Sequence, residues 1–200
     1  MTLKHLVRNG VLGKINLSKE VISTFHEACQ QAKPHRLTFD GASDRGDRPG
    51  EIVVSDVAGP LQASAARARF FVILTCAWSG LTMAQTIPTN SSAAAVLTRC
   101  ILLFEHTFGT PTRILRTDRG GEFINRDLQA WLDNKGIIHQ PTPSYTSQYN
   151  GIAECKNRTI EEMVSAMLIS SGLGIEVWDW ALTYASVFLL CTTARDGVTG

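Results

Sequence analysis

The sequence predicts an α/β domain, because short apolar runs typical of buried strands alternate with longer segments of helical periodicity. With 200 residues and 44% hydrophobic content, the chain can bury one sizeable core and carry an appendage. The predicted strands are residues 51–57, 69–77, 81–87, 112–117 and 137–140.

Four helical segments separate or follow these strands. The first, residues 90–108, has one apolar face, and Asn90 or Ser91 is predicted to cap its start. The second ends at Gly136, and residues 147–171 and 177–190 form the last two. The segment between Pro141 and Ser147 is too rich in proline for a helix and is predicted to be a loop.

Three acidic residues stand where elements begin or end. Asp56 and Asp118 each end an apolar strand, and Glu154 follows Asn150-Gly151 at the start of a long helix. Acids at two strand ends and one helix start can converge on one point. Because Mg²⁺ and Mn²⁺ prefer carboxylate oxygen, the trio predicts a site for a pair of hard divalent cations.

Three motifs carry a family resemblance: SDVAGP at 55–60, RTDRGGEF at 116–123 and YTSQYNGIAECKNRTIEEM at 145–163. Asp118 and Glu154 are separated by 35 residues. Together these features resemble the catalytic core of integrases from copia-type LTR retrotransposons, within the DDE integrase and transposase superfamily, over residues 50–190. The resemblance implies an RNase H-like fold with a five-stranded mixed sheet flanked by helices.

The resemblance also implies the chemistry. Two Mg²⁺ or Mn²⁺ ions would be bridged by Asp56, with Asp118 and Glu154 completing one site each. Attack by water would trim the 3′ ends of the element DNA, and attack by the resulting 3′-hydroxyl would join them to target DNA. The implied partners are double-stranded DNA and further copies of the chain.

Five residues are candidate DNA contacts by the same resemblance: Tyr145, Gln148 and Asn150 beside the site, and Lys156 and Arg158 on the following helix. An aromatic face can stack on an unpaired base, and amides and cations bind bases or phosphates. Two alternatives stay open. Tyr145 could instead anchor its loop to the core, and Glu154 with Arg158 could form an ordinary surface ion pair four residues apart.

Glu122 has two interpretations, a helix N-terminal acid favoured by the helix dipole or an additional site carboxylate, and the first is preferred. The sequence also departs from the family at Cys155, where an arginine is common, and at Cys76-Ala77 and Gly80, where an aspartate and then an arginine are usual. Losing a cation at Cys155 predicts weaker DNA binding with a flatter salt dependence.

These departures support an alternative function, an inactive or domesticated integrase remnant that binds DNA or self-associates. Another alternative is an RNase H-like nuclease acting on RNA–DNA hybrids.

The chain ends are predicted to lie outside the core. Residues 1–48 are expected to be a truncated pre-integrase remnant and linker, 49–194 the catalytic core, and 195–200 an irregular tail. His26 and Cys29 stand where the family has a CxxC pair, but their spacing from His5 and His35 fits no zinc pattern. Zinc is therefore not expected.

Charge and cysteine content bear on how strongly the chain holds DNA and on the compartment in which it works. The formal net charge is +1, and residues 51–200 hold eleven Lys/Arg against thirteen Asp/Glu, so this part alone is expected to hold DNA weakly. Five scattered cysteines, with no signal peptide and no membrane-length apolar run, predict a reduced intracellular protein without a membrane partner. The resemblance implies a nuclear location during integration and a cytoplasmic particle before it.

Overall fold

A single mixed sheet forms the centre of the molecule in the computed structural model, which describes residues 45–142 and 147–196. Its strands are β1 (Ile52–Ala58), β2 (Phe70–Cys76), β3 (Thr82–Ile87), β4 (Ile114–Thr117) and β5 (Ile138–Pro141). They are ordered β3-β2-β1-β4-β5. The first three strands are antiparallel neighbours, whereas β4 runs parallel to both β1 and β5. The predicted five-stranded mixed sheet is confirmed.

Four α-helices cover the two faces of this sheet: α1 (Ala93–Phe108), α2 (Arg126–Lys135), α3 (Ser147–Ser171) and α4 (Trp178–Asp196). Val53 of β1 packs with side chains of α1 and α2, whereas Ile52 and Val54 pack with Ala153 of α3. This division follows from strand geometry, because successive side chains of a strand point to opposite faces. Phe71 and Ile73 of β2 extend the second face toward α4.

The helix starts differ from the prediction at one place. Asn125 caps α2, and its side chain accepts a hydrogen bond of 2.8 Å from the Leu128 amide. The predicted cap of the first helix at Asn90 or Ser91 is wrong. A 3₁₀ turn over Asn90–Ser92 begins after Thr89, without a side-chain cap, and leads into α1. The Asn90 side chain instead points to the loop that follows β4.

The connection between β1 and β2 is held against the start of α4. The indole Nε1 of Trp178 donates to the Gln62 carbonyl at 2.8 Å, and the Ala65 amide donates to the Glu176 carbonyl at 2.7 Å. Trp178 is buried, whereas Trp180 is 61% exposed. Trp178 therefore packs into the core of this chain, whereas Trp180 lies at its surface.

Residues 1–44 and 197–200 lie outside the described residues, and with them His5, His26, Cys29 and His35. The predicted N-terminal remnant, its linker and the irregular tail therefore stay predictions. Within the described ranges, no helix is both long enough and apolar enough to cross a membrane.

Candidate active site

Asp56 and Asp118 lie side by side on neighbouring parallel strands. Val54 of β1 pairs with Arg116 of β4, and each aspartate follows two residues later in its chain. Because side chains two residues apart on a strand share a face, Asp56 lies on the face of Ile52 and Val54, toward α3. Parallel pairing of the two strands thus brings both carboxylates to one edge of the sheet. Asp118 directly follows β4 as predicted, but the prediction that Asp56 ends its strand is wrong, because β1 continues to Ala58.

Glu154 reaches the same edge from α3. Ala153 is fully buried against Ile52 and Val54, and Ile152 packs on the same cluster. This contact packs the N-terminal part of α3 against β1. Glu154, the next residue, is half-buried.

The electrostatics of Asp56 show that the three acids are neighbours. The pKa of Asp56 is raised from 3.8 to about 6, mainly by burial, then by the negative charge of Asp118 and, less strongly, by that of Glu154. Hydrogen bonds from the Val57 amide and the Asn157 side chain oppose this shift. Burial and the two neighbouring charges together outweigh these hydrogen bonds.

Asp118 is oriented by the turn that follows it. Its Oδ1 accepts a hydrogen bond of 2.9 Å from the Gly120 amide, and its carbonyl accepts one of 2.7 Å from the Thr117 hydroxyl. The same hydroxyl lies 2.9 Å from Nε2 of His139. Because the Thr117 hydrogen is already used, His139 donates from Nε2, and burial lowers the pKa of this imidazole, which favours the neutral ring. Sequence reasoning did not single out His139.

The donor set fits a hard cation, although the ligands are not already assembled. Carboxylate oxygen is the ligand that Mg²⁺ and Mn²⁺ prefer, and the charges of Asp118 and Glu154 both act on the partly buried Asp56. Within residues 45–142 and 147–196, no three His, Cys, Asp or Glu side chains form a group that could hold a metal ion in the conformation described. The charges of Asp118 and Glu154 can act on Asp56 without the three side chains being close enough to coordinate one ion. The three acids are therefore neighbours that have not closed into a ligand set.

Comparison with protein families matches residues 46–147 to the integrase core domain. This segment is about half of the chain and contains all five strands, with Asp56 and Asp118. The chain belongs to this family.

Similar proteins agree with the predicted resemblance to copia-type integrase cores. The chain is 32% identical over 158 residues to the Retrovirus-related Pol polyprotein from transposon TNT 1-94 of Nicotiana tabacum, covering 78% of the chain and 12% of that protein. It is 28% identical over 188 residues to the corresponding polyprotein from transposon RE2 of Arabidopsis thaliana, covering 94% and 13%. The resemblance is confirmed, and the chain spans about one-eighth of the length of these relatives.

A solved structure supports the predicted fold. The simian T-cell lymphotropic virus intasome, in complex with PP2A regulatory subunit B56 gamma, contains a chain with a TM-score of 0.59 and 19% identity. The match covers 93% of this chain and 63% of that one. At this identity it shows the fold alone, and the predicted RNase H-like fold is confirmed.

Asn157 is another residue near the site that sequence reasoning missed. Its Nδ2 donates a hydrogen bond of 2.5 Å to Oδ2 of Asp56. It lies three residues after Glu154, so both belong to neighbouring positions on one side of α3. This spacing of three was the available signal, but an asparagine within a helix has many ordinary roles.

The carboxylate of Glu122 bonds to the element that precedes α1. Its Oε2 accepts a hydrogen bond of 3.0 Å from Asn90 Nδ2, at the start of the 3₁₀ turn before α1. It is not among the charges that shift the pKa of Asp56. The preferred interpretation as a helix N-terminal acid is wrong in detail, because α2 begins after Asn125, three residues later. Glu122 instead joins the loop after β4 to the element before α1.

The predicted cations on α3 take different positions. At about 100° per residue, Arg158 lies about 40° around the helix from Glu154, whereas Lys156 lies about 200° away. Lys156 is half-buried, and burial lowers the pKa of its ammonium group. The charge of Arg158 acts on Glu161 and lowers the pKa of that acid, in opposition to burial. Arg158 is thus the better placed of the two for a ligand at the acid edge.

The other three predicted DNA contacts lie in or beside residues 143–146, which the structure does not describe. Tyr145 lies outside the described residues. Gln148 and Asn150 belong to the first turns of α3, and their side chains are outside the description. Their roles stay predictions.

The two family departures have different surroundings. Cys155 is exposed next to Glu154. Cys76 is buried, and its Sγ accepts hydrogen bonds from the amides of Gly50 at 3.2 Å and Ser79 at 3.4 Å. Cys76 therefore serves as an acceptor that closes the turn after β2.

Proposed function

We propose that this integrase core carries out metal-dependent processing of DNA 3′ ends and strand transfer, which insert element DNA into target DNA. The observation that carries the proposal is the proximity of Asp118 and Glu154 to Asp56, since both of their charges act on its carboxyl group. A partly buried carboxylate that feels the charges of two other carboxylates forms a site that gains from binding cations.

Asp56, Asp118 and Glu154 are the residues proposed to hold Mg²⁺ or Mn²⁺. Bound there, divalent cations lower the pKa of an attacking water or 3′-hydroxyl and stabilise the leaving oxygen of an in-line displacement. The chain contributes orientation: the Gly120 amide fixes Asp118, and the Val57 amide fixes Asp56. This chemistry needs no nucleophilic side chain that bonds covalently to DNA.

Double-stranded DNA is the proposed substrate. Tyr145, Gln148, Asn150, Lys156 and Arg158 stay the proposed contacts, with Arg158 supported most by its position near Glu154. Because residues 51–200 have more acids than cations, bound metal and basic segments elsewhere in the protein are expected to offset phosphate repulsion.

We also propose that further copies of the chain assemble with this one. Helix α4 exposes Trp180, Tyr184 and Val187 by 61%, 72% and 52%, at spacings of four and three that place them on one side of the helix. No formal charge lies between Asp179 and Arg195 on this helix. Sedimentation velocity of the wild type and Tyr184→Lys at two concentrations tests this. A smaller species in the variant supports it, and identical monomers contradict it.

The test of function is Mg²⁺- or Mn²⁺-dependent joining of a short duplex end into plasmid DNA. Asp118→Asn and Glu154→Gln are expected to abolish joining, whereas the exposed Asp127→Asn on α2 removes one acidic charge and is expected to retain it. Disintegration of a pre-joined branched DNA provides a second reaction for the same set of variants. Joining that persists in Asp118→Asn contradicts the assignment of that acid.

A second candidate is a catalytically inactive remnant that binds DNA, favoured by the exposed Cys155 beside Glu154, where the family resemblance implies an arginine. A folded protein that binds DNA without dependence on Mg²⁺, and performs neither joining nor disintegration, would establish it. Preferential cleavage of RNA–DNA hybrids in the same assays would instead identify a nuclease.

A further inference from the structure

The connection between β1 and β2 carries two exposed arginines, Arg67 and Arg69, beyond the acid edge, which is the end of the sheet that holds Asp56 and Asp118. Within the described ranges, neither guanidinium has an ion-pair or hydrogen-bond partner. Residues 57–104 contain three arginines and no aspartate or glutamate. A positively charged segment of chain therefore leads away from the acids.

The register of the sheet places Arg69 on the same face as the acids. Asp56 pairs with Ile73 of β2, and Arg69 lies four residues before Ile73. The Arg69 amide donates to the Ile87 carbonyl at 3.1 Å, and its carbonyl accepts from the Leu61 amide at 2.7 Å, so the pairing continues to this residue. Because side chains two residues apart on a strand share a face, and each residue adds about 3.4 Å, Arg69 lies about 14 Å along the sheet from Asp56.

Polar contacts support the connection from the side of α4. The buried Ser64 hydroxyl donates to Asp179 at 2.8 Å, and the Ser64 carbonyl accepts from the Arg67 amide at 2.8 Å. The two acids of this region have other surroundings, because Asp179 accepts from Ser64 and the Glu176 carboxylate lies beside Gly174. The arginines therefore project from a supported segment and keep their charge available for a ligand.

The backbone of Arg67 points to a role for its side chain. It adopts φ = 64°, a left-handed conformation that glycine adopts readily and arginine does not. Residues in such conformations cluster at ligand-binding and catalytic sites, where the side chain offsets the strain. At this turn, arginine supplies a positive charge that glycine would not.

We propose that Arg67 and Arg69 bind the phosphate backbone of double-stranded DNA about four base pairs from the phosphate that lies at Asp56 and Asp118. Each strand of the duplex carries one phosphate per about 3.4 Å of its axis, so about 14 Å corresponds to about four base pairs. The inference rests on the proposed function, because it presumes that the acids act on double-stranded DNA. Such phosphate contacts fix the position of the duplex and read no sequence.

Fluorescence anisotropy of a labelled duplex end, measured with the full chain in EDTA at several KCl concentrations, tests the inference. Arg67→Gln and Arg69→Gln are each expected to reduce the slope of log Kd against log [KCl] by about 0.9, because one phosphate contact is lost. Arg67→Lys keeps the charge and is expected to keep the wild-type slope. Arg113→Gln is the matched control with an unchanged slope, since this exposed cation precedes β4 at the opposite end of the sheet and pairs with Glu51.

Duplexes in which one phosphate is replaced by a neutral methylphosphonate locate the contact. Replacement about four base pairs from the reacting phosphate is expected to weaken binding to the wild type by the same factor as the arginine substitutions. It is expected to add little to the loss in the Arg67→Gln/Arg69→Gln double variant, because both changes remove the same contacts. Losses that multiply instead overturn the inference, as do wild-type salt slopes in both single variants.

The outcomes separate this inference from the proposed function. Folded wild-type protein that binds no duplex DNA overturns the proposed substrate and this inference together, before any substitution is made. Wild-type protein that shows the predicted slopes but performs neither joining nor disintegration overturns the proposed chemistry and supports the DNA contact. Wild-type protein that joins DNA, with unchanged slopes in both arginine variants, overturns the contact alone.

Discussion

The Ser64 hydroxyl donates a hydrogen bond of 2.8 Å to Oδ2 of Asp179, and both side chains are buried. The same hydroxyl oxygen accepts a hydrogen bond of 3.1 Å from the Ala68 amide, and Oδ1 of Asp179 accepts one of 2.9 Å from the Trp180 amide. The contact therefore connects the segment between β1 and β2 to the first turn of α4. Helix α4 packs against α3, which carries Glu154, so this polar contact supports the helix layer behind the site.

Replacing Ser64 by alanine is expected to lower the free energy of unfolding by about 1–3 kcal/mol, because a buried carboxylate oxygen loses its donor. Urea unfolding in EDTA measures the effect without metal linkage. Ser170→Ala removes an exposed hydroxyl from α3 and is the control, with little expected change. Equal unfolding midpoints for Ser64→Ala and the control would contradict the prediction.

Glu122 provides a test of which acids belong to the cation site. Its carboxylate bonds to Asn90 and does not act on Asp56. Glu122→Gln keeps an oxygen that can accept from Asn90, so its Mn²⁺ affinity is expected to stay within about twofold of the wild type. Glu154→Gln is expected to lose more than about tenfold, because a carboxylate ligand is replaced by a neutral amide. Titration calorimetry of the two variants decides, and a larger loss in Glu122→Gln would reverse the assignment.

The strands and the approach of the two aspartates were predictable because local chemistry determines them. An apolar run that ends in an acid specifies a buried strand with a polar end, as β4 and Asp118 show, whereas β1 continues two residues beyond Asp56. Parallel pairing then places Asp56 and Asp118 together. The length of α3 follows equally from its periodicity.

Contacts between distant polar residues were not predictable. Asn90 was expected to cap a helix, and its partner Glu122 lies 32 residues away. Asn157 resembles an ordinary helix residue until α3 is placed over β1. The Ser64–Asp179 contact joins positions 115 residues apart. Such pairs depend on how the elements pack, and no local pattern encodes that packing.

The raised pKa of Asp56 predicts how stability depends on pH in the absence of metal. The folded pKa is about 6 and the ordinary value is 3.8, so the folded state binds the proton more tightly. This contribution to stability is fully present below pH 3.8 and is lost as the pH rises through 6. A shift of about two units corresponds to about 3 kcal/mol at most, and about 1–3 kcal/mol is expected.

The measurement is urea unfolding in EDTA at pH 4 and pH 7 for the wild type and Asp56→Asn. Because asparagine does not titrate, the variant is expected to be more stable than the wild type at pH 7, and this difference should shrink toward pH 4. Because most other titratable groups are the same in both proteins, their effect on the free energy of unfolding cancels in the difference. A difference between them that does not change with pH would contradict the assigned cause.

Arg67 predicts a substitution that stabilises the protein. It is exposed and adopts φ = 64°, a left-handed conformation that costs a residue with a side chain about 1–2 kcal/mol, while its amide donates to the Ser64 carbonyl at 2.8 Å. Arg67→Gly keeps this hydrogen bond and removes the strain. Glycine also gives the unfolded chain more conformational entropy, which offsets part of the gain. The free energy of unfolding is therefore expected to rise by about 0.5–1 kcal/mol.

Arg69→Gly is the matched control, because Arg69 is also exposed and lies in the same segment without a positive φ. Here glycine only adds freedom to the unfolded chain, and a loss of about 0.5–1 kcal/mol is expected. Thermal unfolding in EDTA should therefore move the two midpoints in opposite directions. If both glycine variants lose stability alike, the left-handed conformation at Arg67 carries no strain, and the tight turn around Ser64 is as favourable with arginine as with glycine.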